Sequence, residues 1–262
     1  MSLDKAPSSA HVIWAIARRE LGIAWRRKLV KMLFILSLLP PLGVGIALVV
    51  RMMAKEAVGF DLEWDPVTWL FRFQTGPVAL IALGLGTPSV ARDRAEEVLY
   101  LYAVRPVSPW HYTAGKMVAV AVPTMMLLVI PSIVLAILRD SILGDLVGPS
   151  ESFLLVLKAT LAAIVMGVGF AGVCVGPSAA TRRGRWALLI ALAVFGFPEP
   201  FKIIYGLDGI AMFPTSATAD LQQALFDGNN VLLGFTGGAV LLVYGVLGAL
   251  LTRARVATEM TP

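Results

Sequence analysis

The sequence is poor in the residues that carry most protein chemistry. Its 262 residues include one cysteine, Cys174, and two histidines, His11 and His111. One cysteine excludes a disulfide framework within the chain. Set inside an apolar run, Cys174 reads as a small residue packed between helices. H-E-x-x-H and C-x-x-C spacings are both missing, as is a carboxylate pair in the middle of an apolar run. Zinc sites and nucleophile–base pairs therefore lack their parts. The phosphate loop G-x-x-x-x-G-K-[ST] is missing too: Gly115-Lys116 is followed by Met117 and has no earlier glycine at the motif's spacing. The sequence thus predicts no metal or cofactor site in this chain. Any ATP-driven step needs ATP and magnesium held by another subunit. Charge is also scarce, at 15% of residues, against about a quarter in soluble domains.

Apolar residues take the place of charge. They make up 58% of the sequence, and the mean hydropathy is +0.80. A soluble core cannot absorb that much apolar surface without exposing large patches, whereas a bilayer can. The expected fold is all-α: a polytopic membrane protein with a single transmembrane domain over 1–262. Six spans are expected at about 32–53, 75–91, 117–138, 153–180, 186–206 and 231–252. Pro40-Pro41 predict a kink in the first span, and Pro123 and Pro131 predict bends in the third. Gly172 and Gly176, at G-x-x-x-G spacing in the fourth, read as close packing within one subunit before a dimer contact. Residues 207–229 are mixed in character, with Asp208, Asp220 and Asp227, and read as outer, partly buried helices. The first ten residues are polar and no small-residue cleavage site follows, so the first segment is expected to be retained.

Residues 11–31 are too basic to cross a membrane. Arg18, Arg19 and Arg26 group on one side of a helical wheel, with Val12, Ile16 and Ile23 in a row elsewhere. Trp14 and Trp25 suit the headgroup layer. The pattern predicts an interfacial amphipathic helix lying on an anionic leaflet.

Lys and Arg divide unevenly between the two sides of this six-span layout. Sixteen fall on the side holding both ends, the 92–116 connection and the 182–185 turn, and six on the other. The positive-inside rule then places both termini in the cytoplasm, in a multi-pass protein of the cytoplasmic (inner) membrane. The net charge of +5 reads as this orientation signal, and no nucleic-acid partner is expected.

The 92–116 connection is the most informative segment. Asp93, Glu96 and Glu97 come first, then Leu99, Tyr100 and Tyr102, then Arg105-Pro106-Val107-Ser108. Residues 94–104 predict a short helix that Arg105-Pro106 ends, since a residue before proline resists the helical region. A solvated loop with aromatic membrane anchors accounts equally well for these residues taken alone.

The run Asp93-Arg94-Ala95-Glu96-Glu97, then Val98 to Val104, Pro106-Val107-Ser108 and Gly115-Lys116, resembles the signature of ABC exporter permeases of the type-2 family. That family has an acidic segment after span two, a short coupling helix, a Pro-Val-Ser-like turn and a Gly-Lys opening span three. The likeness extends to the preceding elbow helix, the six spans and the Phe-Pro-Thr-Ser stretch at 213–216. The sequence departs from the family at Ala95-Glu96-Glu97-Val98, where many members carry Gly-Thr-Leu-Glu. The resemblance implies a permease that pairs with a second copy or a homologous permease and docks a separate ABC ATPase subunit through 92–110. In that role Leu99, Tyr100 and Tyr102 would fill a cleft in the ATPase. Asp93, Glu96, Glu97 and Arg105 would form rim pairs that set orientation.

Glu199, in Phe197-Pro198-Glu199-Pro200, is a carboxylate near the outer end of span five. It reads either as an interfacial partner of Lys202 or as part of a translocation path. Two other function classes compete with the exporter: an ion-coupled transporter or channel, and an integral-membrane enzyme. The scarcity of mid-membrane charges counts against the first, and the lack of intramembrane histidines and paired acids against the second. The substrate is not legible in the Gly- and Ala-rich spans.

Overall fold

The computed structural model describes residues 8–58, 64–99, 102, 107–143, 149–196, 212–228 and 230–260. Among these the regular structure is helical, with no strand. The helices are α1 Ser9–Trp25, α2 Lys28–Leu36, α3 Leu39–Val58, α4 Pro66–Gly86, α5 Ser89–Ala95, α6 Pro109–Leu143, α7 Pro149–Ala180, α8 Gly184–Gly196, α9 Pro214–Gln222 and α10 Val231–Met260. One π-helical turn, Gln223–Asp227, follows α9.

Four helical stretches among the described residues are long and apolar enough to cross a membrane: Lys28–Lys55, Pro109–Ser141, Ser150–Ala180 and Val231–Met260. A helix needs about 20 residues to cross a hydrocarbon core of roughly 30 Å. Hydropathy alone gives six. The difference lies in the second and fifth. Helix α4 has 21 residues, but Arg72 and Gln74 dilute its apolar character. Helix α8 has 13, and the remainder of 186–206, with Glu199 and Lys202, lies outside the described residues. The surface is that of a membrane-embedded bundle. Leu232 and Phe235 are each 78% exposed, while Lys116, Asp93 and Gln74 are buried. Apolar side chains out and polar ones in is the arrangement lipid favours.

Several boundaries differ from the pattern read in the sequence. The interfacial segment of 11–31 is divided: α1 ends at Trp25, Arg27 is extended, and Lys28 starts α2. The break near the first span falls at Ser37-Leu38, and Pro40 and Pro41 sit in the first turn of α3. Proline there breaks no hydrogen bond within α3; the bonds it forgoes are those running back across the break to the end of α2. Helix α6 starts at Pro109, well before 117, and runs 35 residues. Between α5 and α6 the expected helix over 94–104 is interrupted at Glu96–Val98.

Glycines set the closest crossings. A Cβ on Gly172 of α7 would lie 2.2 Å from the Tyr244 carbonyl oxygen, and one on Gly248 of α10 would lie 2.2 Å from that of Gly172. Gly172 thus packs within the chain, backbone on backbone, and Gly176 faces Gly248 on the same seam. Gly115 of α6 does the same for α1: a Cβ there would meet Ile16 at 2.7 Å. Helix α9 rests on α10 at Gly237, and Gln222 donates to the Thr75 hydroxyl of α4 at 2.8 Å.

Gln74 joins three helices at two proline defects. Pro41 and Pro131 lack the N–H that would reach the carbonyls of Ser37 and Leu127, four residues earlier. The Gln74 amide nitrogen donates to both orphaned carbonyls, at 2.8 Å and 3.3 Å. Gln74 has no exposed surface, and its Oε1 makes no hydrogen bond. One side chain of α4 therefore closes gaps in the α2–α3 junction and in α6.

Candidate functional site

Polar side chains gather around α5, a helix of seven residues. Its start is capped from another helix. Pro88 precedes it and supplies no side-chain cap. Ser178 of α7 instead accepts from the Val90 and Ala91 N–H groups at 3.0 and 2.9 Å, satisfying two of the free donors that open every helix. Its end is a Schellman turn: Val98 N–H donates to the Asp93 carbonyl at 2.9 Å and Glu97 N–H to that of Arg94 at 3.4 Å. The left-handed position of that turn, φ 55°, is held by Glu97, where glycine is the usual occupant.

Between these ends each charged side chain grips a different helix. Arg92 pairs with Glu20 of α1 at 3.1 Å. Asp93 takes the Lys116 ammonium of α6 at 2.6 Å and the Tyr112 hydroxyl at 2.8 Å. Lys116 also pairs with Glu20 at 2.8 Å and donates to the Ser89 carbonyl at 3.0 Å. It lies over the Tyr112 ring, 5.0 Å from its centre. Arg94 pairs with Glu259 of α10 at 2.6 Å and donates to the Ala179 carbonyl of α7. Three carboxylates thus face three cations, so the buried cluster is close to neutral. Asp93 Oδ1 makes no hydrogen bond and lies 3.6 Å from the Arg92 guanidinium.

A second contact extends the cluster. Arg19 of α1 hydrogen-bonds the Tyr102 hydroxyl, and the Tyr102 ring meets Tyr112 edge-on at 5.4 Å. Burial pulls the Arg19 guanidinium down, but Tyr102, Asp93 and Glu20 together hold it above its usual value. Burial lifts the Tyr102 phenol above the ordinary range despite the opposing pull of Arg19. Arg27 is lowered, first by burial and then by the nearby charge of Arg92.

The structure separates the residues that the sequence groups. Asp93, expected on an exposed rim, has 0% exposure and is locked to Lys116. Leu99, expected to enter a partner's cleft, is 2% exposed and belongs to this chain's own core. A residue with no free surface cannot contact a docked protein in this conformation. Glu96 and Glu97 are exposed, and Tyr102 is half-buried against α1 and α6. Tyr100, Arg105 and Glu199 lie outside the described residues. Arg18 and Trp25 of α1 and Arg26 just beyond it are exposed, Trp25 stacking edge-on to Phe34 at 5.2 Å.

Sequence reasoning passed over Glu20, Tyr112, Ser178 and Glu259. Glu20 had a signal: it is the one acid in a strongly basic stretch, 11–31. Ser178 and Glu259 had none, since their partners lie 88 and 165 residues away.

Among the described residues no three His, Cys, Asp or Glu side chains converge to hold a metal ion. The cluster ties α5 to α1, α6, α7 and α10 through buried and half-buried polar contacts. No family model matches the chain, and no curated protein matches it in sequence.

Proposed function

We propose that this chain is the membrane-spanning permease subunit of an ABC exporter. In this reading it has six spans with both termini on the cytoplasmic side of the inner membrane. It pairs with a second copy or a homologous permease. A separate ATPase subunit binds and hydrolyses ATP with magnesium. The observation that carries the reading is α5, a short helix fixed to four others and ending in exposed Glu96 and Glu97. A permease driven by another subunit needs such a joint, since a push delivered at one surface has to move several helices together. The sequence supports the same division of labour, because it has no phosphate loop of its own. Burial of Asp93 and Leu99 refines the docking surface, leaving Glu96, Glu97, Tyr100 and Arg105 as its candidates. The test is purification of the full chain with its ATPase. Glu97→Arg combined with Tyr100→Ala abolishes co-purification and transport-linked ATP hydrolysis if the surface is right. Full recovery of both refutes it.

A second reading, an ion-coupled transporter, is favoured by the buried Glu20, Asp93 and Lys116, since such charges inside a bundle serve as proton or ion relays. Transport by the purified chain in vesicles driven by a pH gradient alone, without ATP or ATPase, would decide for it.

A further inference from the structure

A cavity of about 720 Å³ lies between α1, α2 and α6, away from the polar contacts around α5. It is within the range of about 300–1,000 Å³ typical of small-ligand sites. Its lining is apolar except for Arg18, the one charged residue among the lining side chains. Arg18 is exposed and makes no hydrogen bond or ion pair among the described residues. Arg19, Arg92 and Arg94, by contrast, are all paired. Trp14 and Trp25, half-exposed, line the cavity from the same helix as Arg18, four residues before it and seven after it. Along α6 the lining runs from Val122 to Pro131, about 14 Å at 1.5 Å per residue. Half of a hydrocarbon core is about 15 Å. A second cavity of about 600 Å³ adjoins at Leu38, Ile130 and Pro131 and has no charged lining residue, so the polar end is at Arg18.

Gly22 points to the same use. It sits inside α1 and lines the cavity, and nothing lies within 4 Å of where its Cβ would be. No helix packs on it and its backbone needs no special angle. Glycine inside a helix is unfavourable relative to alanine by about 0.5–1 kcal/mol. The position gains nothing in folding from being glycine, but the missing side chain keeps the cavity open.

We propose that this cavity binds one acyl chain of an anionic phospholipid, with the lipid phosphate held by Arg18 between Trp14 and Trp25. The guanidinium pairs with the phosphate, the choline cation of a zwitterionic lipid opposes it and so gives the preference for an anionic head group, and the groove length matches a chain from one leaflet only. The site requires membrane embedding but not an ATPase partner, so it stands or falls apart from the exporter reading.

The full-length chain purified in detergent is incubated with dioleoyl phosphatidylglycerol or dioleoyl phosphatidylcholine, and retained lipid is counted by native mass spectrometry. The wild type retains one phosphatidylglycerol per chain, with about tenfold preference over phosphatidylcholine. Arg18→Gln removes the preference. Gly22→Trp, and the smaller Gly22→Leu, lower retention of both lipids. Arg253→Gln, at an exposed arginine on α10, leaves everything unchanged. The proposal is overturned by any of four results. These are no preference in the wild type, preference kept in Arg18→Gln, undiminished retention in both Gly22 variants, or equal loss in Arg253→Gln. Cross-linking of two chains through Cys placed at Trp14 and Met126 would equally overturn it, assigning the groove to a second copy.

Discussion

Replacing Gln74 with methionine tests whether one side chain repairs two proline defects. The substitution keeps length and flexibility but removes both N–H donors. It leaves the Ser37 and Leu127 carbonyls buried without a partner. In soluble proteins each such loss costs about 1–3 kcal/mol. In membranes single hydrogen bonds average about 0.6 and reach about 1.7 kcal/mol, because the unfolded helices also find partners. The membrane value is the relevant one, and two bonds then give about 1–3 kcal/mol. Removing the unsatisfied Oε1 returns part of this, which favours the lower half of the range. The sharper measurement is a double-mutant cycle. Pro131→Ala restores an N–H that reaches the Leu127 carbonyl, and Pro41→Ala does so for Ser37. In either background Gln74→Met loses one bond rather than two, so the coupling is about 0.6 kcal/mol or more. Titration with sodium dodecyl sulfate, followed by tryptophan fluorescence, reads these differences. Equal cost of Gln74→Met in all three backgrounds would refute the reasoning.

Lys116→Met strands two buried carboxylates, Asp93 and Glu20, and should cost about 3–5 kcal/mol in the same titration; a cost under 1 kcal/mol would mean that water reaches the cluster. Glu97→Gly removes a left-handed strain of roughly 1–2 kcal/mol and should raise the thermal midpoint in detergent, whereas Glu97→Gln should leave it unchanged. Gly248→Ala forces apart α7 and α10 and should convert a monodisperse preparation into aggregate on size exclusion, while Gly22→Ala, which meets open space, should be neutral or stabilising. The Tyr102 phenol, lifted by burial, stays protonated past pH 10. Its folded pKa exceeds the unfolded one, so its contribution is complete below about pH 10 and is lost as pH rises through the folded value. Arg19→Gln removes an opposing charge and should move this titration, followed at 295 nm, further up.

The sequence makes the class of fold easy to read, because membrane helices announce themselves in runs of twenty apolar residues. It also reveals the basic α1 segment and the run of charges just after α4, where Arg92, Asp93 and Arg94 make ion pairs. Helix ends are harder. The Ser37-Leu38 break is bridged by Gln74, which comes 37 residues later, and Pro40-Pro41 alone point to a kink a few residues too far along. The interior of the site is hardest. Asp93 looks like a surface charge because its neighbours Glu96 and Glu97 are exposed, and only Lys116, 23 residues on, shows that it faces inward. Leu99 has the composition of a docking knob and the position of a core residue. Burial is a property of the assembled bundle, and no local spacing encodes it.

The contacts of α5 also order events in time. Glu20 and Ser89 are available as soon as the first part of the chain is made, and Lys116 soon after. Glu259, which pairs with Arg94, follows 165 residues later. At 5–20 residues per second that interval is about 10–30 s. Throughout it the Arg94 guanidinium lacks its carboxylate, and Ser178 has yet to cap the helix for the first half of the wait. The hub around α5 is therefore one of the last features to close during synthesis. A ribosome stalled before α10 leaves it half-built, with the Arg94 guanidinium lacking the Glu259 carboxylate.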